Sequence, residues 1–126
     1  MCELFENASS FNIDVGSWNV SSVKVMHYMF FGASAFNKSL ERWDTSLVED
    51  MLGMFRVAKS FNHPIGSWNV SRVTTMSYMF SDAHKFNQDI SIWEVGAVTT
   101  MDSMFDGARS FDQNISQWKV GRVKTM

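Results

Sequence analysis

The chain has 126 residues, of which 45% are hydrophobic and 19% charged, the composition of a folded domain rather than of a disordered chain. Its net charge is −2 and acidic and basic residues are mixed along it, so no phosphate-tracking surface is implied and nucleic acid is not an expected partner. A single cysteine, Cys2, excludes an internal disulfide framework, and no apolar run is long enough to cross a membrane as a helix, so direct membrane insertion is not expected.

Residues 1–10 carry neither the basic start nor the apolar middle of a signal peptide. From there on the chain repeats itself. Phe11, Phe36, Phe61, Phe86 and Phe111 stand 25 residues apart and open successive copies of one pattern, with no insertion or deletion. The expected organisation is one repeat domain: a partial copy at 1–10, full copies at 11–35, 36–60, 61–85 and 86–110, and a partial copy at 111–126. A copy this short cannot bury its own apolar face, so copies must stack.

Counting from the opening Phe as position 1, position 2 is Asn12, Asn37, Asn62, Asn87 or Asp112, whose side chains can satisfy loop backbone groups that no regular ladder reaches. Position 5 is Val15, Leu40, Ile65, Ile90 or Ile115, position 8 is always Trp, and position 10 is Val or, once, Thr45. The run I-x-x-W-x-V reads as a short strand, and equal strands of stacked copies would pair in parallel at roughly 4.8 Å. Positions 13, 16, 19, 20 and 23 are apolar, as in Val73, Met76, Met79, Phe80 and Ala83, and at helical spacing they fall within an arc of about 120°. That stripe predicts a short helix from about position 12 to position 19–22, with Ser21, Ser46 and Ser71 as N-caps. Five strand–short helix repeats follow.

The run I-x-x-W-x-V followed by V-x-x-M-x-x-M-F-x-x-A, most complete between Phe86 and Phe105, resembles the BspA-type leucine-rich repeat of bacterial, notably mycoplasma, surface proteins and of some microalgal proteins. The resemblance runs from one end of the chain to the other. It implies an α/β fold, a leucine-rich-repeat-like right-handed solenoid with a parallel sheet, and a role in surface attachment or protein binding, outside the cell or on its surface. Trp, Met and Phe stand here where leucines would, and the Asn that follows the strand in ordinary leucine-rich repeats is missing.

Candidate sites are few. Ten methionines and three histidines invite a soft-metal reading, but the methionines fall in core columns, where a thioether fills gaps. His27, His63 and His84 occupy three different repeat positions, so the period does not gather them, and neither a metal nor a cofactor site is expected. Asp14, Asp89 and Asn114 share position 4, yet Ser39 and Pro64 interrupt the column and no Ser, His and Asp trio is placed by the repeat, so the chain is not expected to be an enzyme. What the pattern leaves on the outer face of the strands are positions 7 and 9: Ser17 and Asn19, Arg42 and Asp44, Ser67 and Asn69, Ile92 and Glu94, Gln117 and Lys119. Repeat proteins bind partners on such extended faces, so these ten residues are the candidate partner-binding set for a protein or glycan. The competing expectation is a structural spacer or assembly element in a longer array. The chain begins and ends at position 16, so each end would expose core to adjoining repeats or to another copy, with head-to-tail self-association as the consequence.

Overall fold

In the computed structural model, which describes residues 1–126, successive copies lie against one another in the 25-residue register. The fold between those contacts is not the expected one. The chain contains no α-helix and no strand longer than one bridging residue, so the α/β assignment, the parallel sheet and the leucine-rich-repeat solenoid are all overturned. Parallel pairing is confined to position 15, where Val25, Asp50, Thr75, Thr100 and Thr125 bridge each copy to the next.

The predicted helix is replaced by a run of tight turns that shares its spacing of apolar residues. The N–H groups of Met29, Phe31 and Ala33 donate three residues back, to the carbonyls of Met26, Tyr28 and Phe30, at 3.3, 3.1 and 3.0 Å. Between them, Met26, Tyr28, Phe30 and Gly32 donate instead to the next copy, to the carbonyls of Asp50, Leu52, Met54 and Arg56, at 2.8–2.9 Å. Alternate amides therefore serve the turn and the stack, and none is left for the four-residue bonds of a helix. Two residues of each copy, four apart, turn the backbone into the left-handed region: Glu3, Tyr28, Gly53, Tyr78 and Ser103 at position 18, and Asn7, Gly32, Val57, Asp82 and Gly107 at position 22, with φ between 50 and 70°. That conformation at the third residue of a four-residue turn is what a type II turn requires, and it is incompatible with helix continuation.

Turns also displace the predicted strand. The Trp N–H of each copy donates back to the position-5 carbonyl, as from Trp68 to Ile65 at 3.1 Å, and the position-13 N–H donates to position 10, as from Val73 to Val70 at 3.0 Å. Short polar side chains close the same corners. Asp14, Asp89 and Asn114 accept from the N–H two residues on at 2.9–3.0 Å, and so do Asn19, Asp44 and Asn69 at 3.0–3.1 Å. These Asx turns hold Ser21, Ser46 and Ser71 in corners rather than at helix starts.

One cluster of 31 buried residues runs through the stack. The position-1 phenyl rings stack at 5.6–6.1 Å from copy to copy, the position-20 rings at 5.4–5.7 Å, and each position-20 ring lies 3.9–4.3 Å from the position-1 ring that opens the next copy in sequence. Each such pair is worth about 0.5–1.5 kcal/mol beyond the area it buries. Eight of the ten methionines are buried between these columns, Met1 and Met126 being the exposed ones. Two polar ladders lock the register. Trp43, Trp68, Trp93 and Trp118 donate their indole N–H to the position-5 carbonyl of the preceding copy at 3.0–3.1 Å. The Asn12, Asn37, Asn62 and Asn87 side-chain oxygens accept from the position-2 N–H of the following copy at 2.9–3.1 Å.

Candidate functional site

The Asx turns at positions 4–6 and 9–11 aim positions 7 and 9 away from the core, because positions 5, 8 and 10 between them are taken up by buried side chains. All ten residues of the candidate set, Ser17, Asn19, Arg42, Asp44, Ser67, Asn69, Ile92, Glu94, Gln117 and Lys119, are exposed. They stand on the corners of turns, not on a sheet. Arg42, Asp44, Glu94 and Lys119 take part in none of the chain's ion pairs, and Ile92 is 73% exposed, so this edge offers unpaired charges of both signs around one apolar anchor.

Three depressions follow the edge. A cleft of about 620 Å³ gathers Ile92, Glu94, Gln117 and Lys119. A smaller one of about 270 Å³ holds Ser67 and Asn69 and shares Ile92 and Glu94 with the first. A third, of about 380 Å³, takes Ser17 and Arg42. Asn19 and Asp44 line none of the three. Sequence reasoning missed Glu41, Ser91 and Arg122, which complete these walls from positions 6 and 12. Treating those positions as columns too would have found them.

The Ser46 hydroxyl and N–H beside Asp44 hold its carboxyl below the usual carboxylate range, and Ser91 does the same for Asp89. Both carboxylates are therefore fixed acceptors for their own turns. The three histidines remain apart. His27 Nδ1 lies 3.1 Å from Asp50 Oδ2, His63 Nε2 lies 3.1 Å from the Asn37 carbonyl, and His84 Nε2 lies 3.8 Å from Asp82. Gln88 and Gln113 use the site equivalent to His63 to donate to the preceding Asn carbonyl, which makes that position a register contact.

No curated protein and no solved structure matches the chain. One family does, over residues 1–68 and again over 37–126, so that its two matches overlap and together span the whole chain. The chain belongs to the family described as "Mycoplasma protein of unknown function, DUF285".

Proposed function

We propose that the chain is a non-enzymatic binding module that presents the position-7 and position-9 edge to a protein or glycan at a cell surface. The observation that carries this reading is the cleft shared by Ile92, Glu94, Gln117 and Lys119, an exposed aliphatic side chain ringed by unpaired polar and charged groups. Interfaces are commonly built as an apolar centre with a polar rim. The resemblance of the repeat to that of the BspA-like surface proteins supports the location, and the match to a Mycoplasma family is consistent with it. The test is attachment of the labelled chain to cultured cells, with and without prior protease or glycosidase treatment of the cells. Saturable attachment that one treatment removes, and that the combined Ile92→Asp, Glu94→Lys and Lys119→Glu variant loses, is the expected result. A folded variant that attaches as well as the unchanged chain would rule this edge out.

A structural assembly role is the second reading, favoured by the last copy. Tyr78, Phe80 and Asp82 donate their N–H groups to Asp102, Met104 and Asp106, whereas the equivalent N–H groups of Ser103, Phe105 and Gly107 donate to no backbone carbonyl of residues 1–126. Beside them an apolar hollow of about 410 Å³ is lined by Met104, Phe105, Ile115, Trp118 and Val120. The first copy offers the complementary carbonyls of Cys2, Leu4 and Glu6, to which no N–H donates. This reading expects sedimentation of the 126-residue chain to show concentration-dependent head-to-tail association. A monomer across a hundredfold dilution series, measured at the concentrations of the attachment assay, would eliminate it while leaving the binding reading untouched.

A further inference from the structure

A second edge of the stack, built from positions 18 and 21, carries chemistry that the position-7 and position-9 edge lacks. Arg56 sits there between two aromatic rings from the copies on either side, with its guanidinium carbon 5.5 Å from the Phe31 centroid and 5.0 Å from the Tyr78 centroid. The gap that admits this arrangement comes from Gly53, which lies in the left-handed region between Tyr28 and Tyr78 and over which the Tyr28 ring closes. The Arg56 backbone is held from both sides, its N–H donating to Gly53 at 3.0 Å and its carbonyl accepting from Gly32 at 2.9 Å.

Arg56 is the one arginine of the chain that is not exposed. Its Nε is buried and has no hydrogen-bond partner, no side-chain hydrogen bond engages its terminal nitrogens, and no carboxylate pairs with it. Since Nε alone is an orphaned buried atom, the two terminal nitrogens are the part that reaches the surface. Rings on both faces fix the plane of the group, so a fork of N–H donors points outward in a set orientation, with little freedom left to lose on binding. Tyr78 is 36% exposed, Phe31 is half-buried with the half-buried Tyr28 ring 5.7 Å from it, and Leu52 and Val57, on the same segment as Arg56, are half-buried too. Tyr, Phe and Arg in a partly apolar patch are the composition of an interaction hot spot.

We infer that Arg56 is the anchor of a second binding site, which takes a Glu or Asp carboxylate of a partner protein flanked by apolar side chains. A single guanidinium matches a monoanionic carboxylate held by two parallel N–H···O bonds. It does not match the repeated charges of nucleic acid or of a polysulfated glycan, which need clusters of cations. Because the guanidinium covers the facing sides of Phe31 and Tyr78, what remains for contact is the edges of those rings, which suit apolar protein side chains.

The experiment follows the Arg56 Nε–H signal in ¹H–¹⁵N spectra of the whole chain during titration with a capped peptide of alternating Glu and Leu. A saturable shift is expected, weakened about tenfold or more when Gln replaces Glu in the peptide, and likewise in the Arg56→Lys chain, read from backbone amides of Leu52 and Tyr78, because an ammonium keeps the charge but not the fork. The peptide comparison needs no protein variant, and Tyr78→Ala gives an independent one if Arg56→Lys does not fold. Equal affinity for the Gln peptide would mean apolar contact alone and would overturn the site. So would the absence of a saturable shift at millimolar peptide, and stronger binding of oligosialic acid or inorganic phosphate would overturn the choice of a protein carboxylate.

Discussion

Trp68 and Trp18 are the same side chain at the same position of the repeat, and they live in different surroundings. Trp68 is 4% exposed, donates its indole N–H to Leu40 at 3.0 Å, and lies 6.4 Å from Trp43 and 6.2 Å from Phe55. Trp18 is 39% exposed, its indole N–H makes no hydrogen bond, and Phe5 at 5.7 Å is its ring neighbour. The local turn is identical in the two, since both backbone N–H groups donate to position 5 at 3.1 Å. Each copy thus makes its own corners but buries little by itself, and the interface between copies is the unit of stability. Trp68→Ala is the largest effect expected, about 3–5 kcal/mol, because it empties a packed site and removes one of the two hydrogen bonds that the Leu40 carbonyl accepts. Trp18→Ala should cost roughly 1 kcal/mol or less, a half-exposed ring having less burial to lose. Urea unfolding of the two variants checks the contrast, and equal losses would mean that burial is generated within the copy.

The glycines sharpen the same contrast at a smaller scale. A Cβ on Gly66 would stand 2.5 Å from the Asp89 carbonyl oxygen of the next copy, whereas a Cβ on Gly96 meets nothing within 4 Å. Gly66→Ala should therefore force two copies apart and cost about 1–3 kcal/mol, the range for an overpacked contact. Gly96 is outside the left-handed region, so Gly96→Ala should be neutral or stabilise by up to about 1 kcal/mol through the unfolded chain. Opposite signs in the melting temperatures are the expected outcome. A loss at both positions would place the constraint in the turn rather than between copies.

What the sequence makes legible is the contact between copies, and what it hides is the path within one. Equal letters 25 residues apart can hardly arise without stacking, so the Phe, Trp and Met columns and the exposure of Arg42, Glu94 or Lys119 follow from the register. The helix fails because spacings of three and four are shared by a helix and by consecutive turns that reverse at positions 18 and 22. Gly32, Gly53, Gly107, Asn7 and Asp82 carry the turn signal there, but Tyr28, Val57 and Tyr78, which are poor left-handed residues, mask it at the other reversal of the same copies as Gly32, Gly53 and Asp82. The strand fails for a more readable reason. Asp14, Asp89 and Asn114, with Asn19, Asp44 and Asn69, recur at the spacing of Asx turns on both sides of the Trp, and that chemistry outweighs a three-residue alternation. Of Arg56's two ring neighbours only Phe31 follows from the register, since it shares position 21 with Arg56, whereas Tyr78 comes from position 18 and no column brings it there.

The smallest expected effect separates a contact between copies from a contact within one by pH. The Thr125 hydroxyl, donating to Asp102 Oδ2 at 2.6 Å, holds that carboxyl below its usual value of 3.8, against the opposing effect of burial, and Ser77 Oγ adds a bond at 3.1 Å from the other side. Asp44 is lowered by Ser46 of its own turn. A carboxylate whose folded pKa is depressed contributes stability above its unfolded pKa and loses it as the pH falls through the folded value. Acidification from about pH 4 downward should therefore weaken both, but with different reach. Protonated Asp102 releases Thr125, whose carbonyl accepts from Met101 at 3.0 Å, so the last copy should loosen as a unit. Protonated Asp44 weakens only its local bonds from Ser46, beside a turn that the Val48 N–H closes onto the Thr45 carbonyl. Hydrogen exchange at Met101 and Lys124 should quicken in acid ahead of that at Met76 and Thr99, and Asp102→Asn should bring the same change at neutral pH while Asp44→Asn does not. Exchange that quickens uniformly along the chain would show that the stack opens all at once and that the copies are not separate steps.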